Sequence, residues 1–408
     1  MVTTERRLHL LGAISFFIFF GAGAQQAYLI PYLSRVTDWG KLECSIIIGA
    51  VYLTMTVFRV GNLYLFRGWS DRRYTMVGAL SYLLFCVVMG ATFWTRSYAL
   101  AVAGAVVWGM GAALMWTGTT MQVLSVGDAG GGKHGSGMGF LYSATHAGWL
   151  SGAVSLGLIY RSLPGDLLWV LYAVAAAFTL AGNVLTAFLP ATGPAVREDP
   201  SPRRMLEIML RRRAQIASLL QFLSALAYGL LLGMFGRFIE QTYGSDWVWV
   251  SVSLYPATRM VMSFVGGKLA DKLGHSYVLV AGFLCGAAGL LVMGLWHNPW
   301  SAVLAGFTLG MLSSTVPVVA GAIIGAAADR KRRPLAYGII FGWRDMGVFA
   351  AAVGSNALAG GLPSTNVFVV FACLFGGCAA LSGVLERYKD ERFHSGGATA
   401  EPAADTES

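Results

Sequence analysis

The sequence predicts an all-α membrane protein whose twelve transmembrane helices form two pseudo-symmetric six-helix bundles. Three observations carry this expectation. The chain of 408 residues is 56% hydrophobic and only 12% charged, whereas about a quarter of the residues of a soluble chain are charged. Twelve apolar segments follow one another, each long enough to cross a hydrocarbon core about 30 Å thick. A stretch near position 60 also returns, in chemistry and spacing, 200 residues later.

The segments run near 8–33, 44–66, 74–94, 98–125, 136–160, 167–189, 215–238, 247–266, 276–296, 300–327, 335–360 and 365–386. The longer ones are expected to tilt or to extend past the bilayer. Arg6 and Arg7 precede the first, which is too long for the core of a cleavable signal and is expected to stay. Most of the 52 glycines fall inside these runs, where small residues let membrane helices approach closely. Cys44, Cys86, Cys285, Cys373 and Cys378 are scattered without zinc-ligand spacing and read as free, buried thiols.

Residues 1–189 make the first bundle and 215–388 the second. The linker between them, 190–214, holds four prolines and the basic run Arg211 to Arg213, and its part 205–213 suits a short helix on the membrane surface. Residues 389–408 are expected to be a disordered tail, since most are small or acidic and show no periodicity.

A net charge of +9 suggests nucleic acid, but the bases lie in short blocks between apolar segments, so no nucleic-acid partner is expected. With both termini on one side, that side collects 21 Lys and Arg against four opposite (Arg35, Lys41, Arg96, Arg161). Positive loops stay inside. The bias predicts a multi-pass protein of the cytoplasmic (inner) membrane with both termini cytoplasmic.

The repeat pairs RVGNLYLFRGWSDRR, Arg59 to Arg73, with RMVMSFVGGKLADKLG, Arg259 to Gly274. Arg59 and Arg259, Asp71 and Asp271, and Arg72 and Lys272 are each 200 apart. In both copies the arginine precedes the aspartate by twelve residues, about 18 Å along a helix and well inside a bilayer. A motif repeated at half the chain length implies two similar halves.

Gly267 to Gly274, GKLADKLG, resembles the loop signature G-x-x-x-D-R/K-x-G of the major facilitator superfamily of secondary transporters. The first copy departs from it: Gly68 lies three residues before Asp71 and Tyr74 replaces the closing glycine. The resemblance implies two bundles rocking about a central site, a small-molecule substrate, and no cofactor or metal. It also implies contact of helix 2 with helix 11 and of helix 5 with helix 8. Asp71, Arg72, Asp271 and Lys272 would latch the inner gate; the alternative is loop charge serving topology alone. Gly109 to Gly118 on helix 4 weakly resembles a branch of the superfamily that includes ion-channel regulators and Toll-like-receptor chaperones.

Five ionisable groups lie deep in the segments: Arg59, His146, Arg259, Arg344 and Asp345. A charge at the bilayer centre costs at least about 2.5–3.5 kcal/mol, so each needs a partner or a watery cavity. In the implied fold Arg59 would face Asp345, and Arg259 would face His146. Aligning Gly139 with Gly338 also brings Gly148 onto Gly347 and His146 onto Asp345. Arg344 and Asp345 diverge by about 100° on a helix and are expected to serve different faces. In a functional role the arginines hold an anionic group, while Asp345 or His146 exchanges a proton. In a structural one they pin carbonyls, and His146 is a neutral strut. Gln25, Gln26 and Tyr28 on helix 1, with Trp116 and Gln122 on helix 4, would offer the substrate hydrogen bonds and a stacking face, or else join helices.

Gly127 to His134, GDAGGGKH, fits a phosphate-binding loop until its last position, and no strand precedes it. No metal-ligand spacing or nucleophile–base pair appears, so no enzyme is expected. The sequence thus predicts a monomeric secondary transporter of an organic anion or carboxylate-bearing zwitterion, with protons as the candidate coupling ion. The alternatives are a non-transporting membrane chaperone or regulator and a hydrophobic drug exporter.

Overall fold

A computed structural model describes residues 4–23, 28–190, 197–231, 235–296, 298–361 and 364–393. All regular structure among these residues is helical. The first half contains α1 (Thr4–Ile18), α2 (Leu29–Val36), α3 (Lys41–Leu65), α4 (Asp71–Thr95), α5 (Tyr98–Ala129), α6 (His134–Ser162) and α7 (Trp169–Thr186). A linker helix, α8 (Pro202–Met209), leads to the second half. That half contains α9 (Arg212–Leu230), α10 (Gly236–Tyr243), α11 (Ser245–Leu273), α12 (His275–Leu295), α13 (Pro299–Ala327), α14 (Arg333–Gly361) and α15 (Ser364–Val384).

The expected first and seventh spans are each interrupted. After α1 the backbone widens into a π-turn, Phe19–Gly23, before α2 begins. The turn packs tightly on α7: the hydroxyl of Thr179 accepts from the Ala22 amide at 3.0 Å. A Cβ on Gly21 would lie 2.1 Å from the Ala175 carbonyl oxygen, so only glycine fits there. The seventh span is α9 followed by α10. Residues 24–27 and 232–234, between these pieces, lie outside those described.

Among the described residues, α3, α4, α5, α7, α12, α13 and α15 each contain a stretch apolar and long enough to cross a membrane on its own. The other spans are the two broken ones together with α6, α11 and α14. Those last three carry His146, Arg259, and the pair Arg344 and Asp345. The polar groups that dilute their hydropathy are the ones turned inward.

The halves meet where α3 packs on α14 and α6 on α11. Small residues make both crossings close. A Cβ on Gly267 of α11 would lie 2.3 Å from the Gly135 carbonyl oxygen of α6, and one on Gly338 of α14 would lie 2.7 Å from that of Arg59.

Two expectations need correction. Residues 389–393, assigned to a disordered tail, are docked. The Phe393 amide donates to the Ala327 carbonyl at 2.7 Å, and Arg213 donates to the Lys389 carbonyl at 2.5 Å and from its amide to Glu391 at 2.7 Å. Backbone contacts and the Glu391 carboxylate hold this stretch against Arg213 and the end of α13; residues from 394 on lie outside those described. The cysteines were expected to be buried, but only Cys44, Cys86 and Cys378 are, whereas Cys373 faces outward on α15.

Candidate functional site: a central cavity between the halves

Arg59 enters the seam from α3 and meets Asp345 of α14: its Nε lies 2.7 Å from Oδ2, and both side chains are fully buried. Arg59 also donates to the Tyr337 hydroxyl at 3.1 Å and lies against the rings of Tyr337 and Phe341. The pairing expected from the sequence is therefore present. Neither residue lines the cavity itself, whereas Met55 of α3 and Arg344 of α14 do.

Arg344 turns to the cavity whereas Asp345 turns to Arg59, so the two serve different faces as expected, yet Arg344 keeps a contact with its neighbour. Its Nη1 reaches the other oxygen of Asp345 at 3.4 Å. The backbone divergence holds, but a long guanidinium stem bends back over its neighbour, so two arginines share one carboxylate.

The cavity at this seam has a volume of about 60 Å³. Its polar lining is Thr145, His146, Arg259 and Arg344, and no Asp or Glu lies among its described walls. Most of the remainder is aromatic: Phe19, Tyr52, Tyr82, Trp108, Trp116, Tyr142, Trp149 and Tyr228. Trp116 stacks on Tyr142 with ring centroids 5.3 Å apart.

Arg259 and His146 share the cavity without an ion-pair-like contact. The Arg259 guanidinium lies among the rings of Trp149, Tyr228 and Tyr255, 5.2–5.8 Å from their centroids. Its hydrogen bond to the Tyr255 hydroxyl is long, 3.4 Å. Both ring nitrogens of His146 are buried without a hydrogen-bond partner among the described residues. Faces of electron-rich rings, not the imidazole, hold this cation.

Four of the other candidates lie elsewhere or outside the described residues. The Tyr28 hydroxyl bonds the Ala153 carbonyl and its ring packs on Tyr160, away from the cavity lining. Gln122 is buried and fully used: its amide donates to Thr75 at 2.9 Å and its carbonyl accepts from Arg7 at 3.3 Å. Both residues join helices, as the structural alternative had it. Gln25 and Gln26 lie outside the described residues.

At the basic end of the molecule the repeat aspartates act differently from each other. Asp271 of α11 accepts from the amides of Gly135 and Ser136 at 2.9 and 2.7 Å and from the Ser136 hydroxyl at 2.6 Å. It thus caps α6 across the seam, where the helix dipole favours a negative charge. Asp71 instead pairs with Arg197 of the linker at 2.7 Å, and that guanidinium lies 3.7 Å over the Tyr74 ring. Arg72 donates to the Ala187 carbonyl after α7 at 2.8 Å, while Lys272 is exposed.

Sequence reasoning missed a second latch. Arg333 of α14 grips Asp128 of α5 with both terminal nitrogens, at 2.6 and 2.9 Å, and Asp128 also meets His134 at 2.9 Å. Next to it, Arg332 bonds Glu198 at 2.5 and 3.0 Å and Glu207 at 2.9 Å. The run Arg330 to Arg333 had been counted only for topology, and acids one half-chain away carry no sequence signal of pairing.

Two bundles of helices thus meet around a central cavity. A sequence model of the Major Facilitator Superfamily matches residues 217–404. The E. coli fucose:proton symporter FucP has a similar fold, with a TM-score of 0.74 at 14% identity over 94% of this chain and 98% of that one. The human organic anion transporter MFSD10 (TETRAN) gives 0.73 at 13% identity over 94% and 100%. A stretch of 76 residues is 32% identical to multidrug resistance protein MdtH of Salmonella paratyphi C (strain RKS4594), and 30% identical to that of Enterobacter sp. (strain 638). This match spans 18% of the chain and 19% of those relatives, about a fifth of their length. The second half of the chain thus matches the Major Facilitator Superfamily in sequence, and the chain as a whole shares the fold of these solved transporters.

Proposed function

We propose that the protein is a secondary transporter of a small organic anion with an aromatic or apolar body. One observation carries this reading. Arg259 and Arg344 both line a cavity without an acidic wall, and the nearby carboxylate of Asp345 is already held by Arg59. Three arginines against one aspartate leave room for a carboxylate from the substrate, which guanidinium forks match in geometry. The ring faces around it suit a flat or apolar body. A zwitterion's ammonium would find ring faces but no acid, so a simple anion fits better.

Transport by alternating access follows from the same frame. The basic end is taken as the inner gate, with both termini cytoplasmic. Opening it breaks the cap made by Asp271 and the pair Arg333–Asp128, while the cavity stays at the pivot. Protons are the proposed coupling ion: His146 lines the cavity with both ring nitrogens unpartnered among the described residues, and Asp345 is a buried acid held by Arg59 and Arg344. The cavity is complete within one chain, which supports a working monomer.

A second reading, export of hydrophobic drugs, has specific support in the aromatic lining and the partial match to MdtH. One experiment separates the two. Purified protein is screened by thermal shift against aromatic carboxylates and their neutral and cationic counterparts, since a ligand selective for the folded state raises the melting temperature. Stabilisation restricted to carboxylates, and lost in Arg259→Met and Arg344→Met, is expected. Equal stabilisation by neutral or cationic aromatics would favour the drug exporter.

A further inference from the structure

Beyond Tyr228, Arg259 and Arg344 lies a second, smaller chamber of about 10 Å³, room for one small polar group, walled also by Ser224, Ala225, Ser313, Pro317 and Val348. Those three shared residues line both spaces, so they form a collar between them. The chamber is built wholly from the second half of the chain. It lies on the side of the arginines away from most of the aromatic walls.

Its chemistry differs from that of the main cavity. The Ser313 hydroxyl is buried and has no hydrogen-bond partner among the described residues. Pro317 sits inside α13 four residues later, and its ring nitrogen carries no hydrogen, so the Ser313 carbonyl lacks its regular helical donor. Ser224 spends its hydroxyl proton on the Gln221 carbonyl at 3.1 Å and keeps acceptor capacity. The chamber therefore offers one free hydroxyl and at least one free acceptor beside two guanidinium groups.

We infer that this chamber receives a hydroxyl on the carbon next to the substrate's carboxylate, so that the preferred substrates are 2-hydroxy acids with an aromatic or apolar tail. The inference rests on the anion reading above. A carboxylate gripped at the collar has one carbon attached to it, and that carbon can send its large substituent into the aromatic cavity and its small one into the chamber. A hydroxyl both donates and accepts, which answers a free carbonyl and a free hydroxyl together. A hydrogen or methyl group leaves Ser313 unsatisfied. An ammonium carries only donors, and its charge would sit beside two arginines with no acid in the chamber wall.

The test compares three ligands on the full chain in detergent by titration calorimetry: 3-phenyllactate, 3-phenylpropionate and phenylalanine. Phenyllactate is expected to bind on the order of tenfold more tightly than phenylpropionate, and phenylalanine more weakly than either. Ser313→Ala is expected to erase the advantage of the hydroxyl and to leave phenylpropionate affinity unchanged. Equal binding of phenyllactate and phenylpropionate to the unmodified protein overturns the inference while leaving the anion reading in place, and needs no variant to fold. An advantage that persists in Ser313→Ala overturns it as well. Failure of all three carboxylates, with neutral aromatics binding, removes the anion reading and this inference with it.

Discussion

The buried pair at the seam predicts an asymmetry between its two members. Arg59 is 1% exposed, with its Nε on Asp345 and one other nitrogen on Tyr337. Asp345→Leu leaves this guanidinium with a phenol and ring faces but no counter-charge, a loss of about 3–5 kcal/mol of stability. Arg59→Met is different, because Asp345 keeps Arg344 at 3.4 Å. The remaining arginine can close on the carboxylate, so the cost falls to that of a charged hydrogen bond, about 1.5–3 kcal/mol. The double variant Arg59→Met with Asp345→Leu removes both charges and should be more stable than Asp345→Leu alone, as apolar replacements of buried pairs often are.

Unfolding in detergent can be followed with a thiol-reactive dye, since Cys44, Cys86 and Cys378 are buried in the folded chain. The expected order of stability is wild type, then Arg59→Met near the double variant, then Asp345→Leu. If Arg59→Met costs as much as Asp345→Leu, or the double variant is no better than the worse single one, Asp345 does not serve two arginines.

Other outcomes follow from the same geometry. Asp345→Asn is expected to abolish pH-driven uptake into vesicles while exchange of preloaded substrate persists in part; unchanged uptake removes Asp345 from coupling. Asp271→Asn weakens the cap on α6, so a cysteine at Thr145 in an otherwise cysteine-free chain should label faster from the basic side, on the order of tenfold or more. An unaltered rate would assign Asp271 to topology alone. Gln122→Ala should lower stability by about 1–2 kcal/mol without changing ligand affinity, whereas Trp116→Ala should weaken ligand binding; the reverse pattern would return Gln122 to the site.

The helical frame was legible because hydropathy, bilayer thickness and loop charge act on long segments that need no knowledge of partners. The Arg59–Asp345 pair was legible because two buried charges on helices that meet have few other places to go. The cavity walls were not. Tyr52, Tyr142, Trp149 and Tyr228 sit in apolar runs where any face suits an aromatic residue, and only packing turns these four inward. Gln122 was misplaced for the converse reason. A buried amide needs partners, and Thr75 and Arg7, remote in sequence, satisfied it before any substrate.

The repeat itself misled at one point, and the cause is a single missing hydrogen. The alignment of Gly139 with Gly338 sets Pro334 opposite Gly135. Asp271 caps α6 through the Gly135 and Ser136 amides, but a proline amide has nothing to donate, so Asp71 lacks an equivalent first donor on α14. The sequence copies the aspartate without copying the donors that it caps. Asp71 turns instead to Arg197, and the end of α14 reaches the first half through the Arg333 side chain and Asp128. Two halves related by duplication thus close one end with unlike devices, a backbone cap on one side of the axis and a side-chain fork on the other. Each can be weakened separately by mutation, which a strictly symmetric latch would not allow.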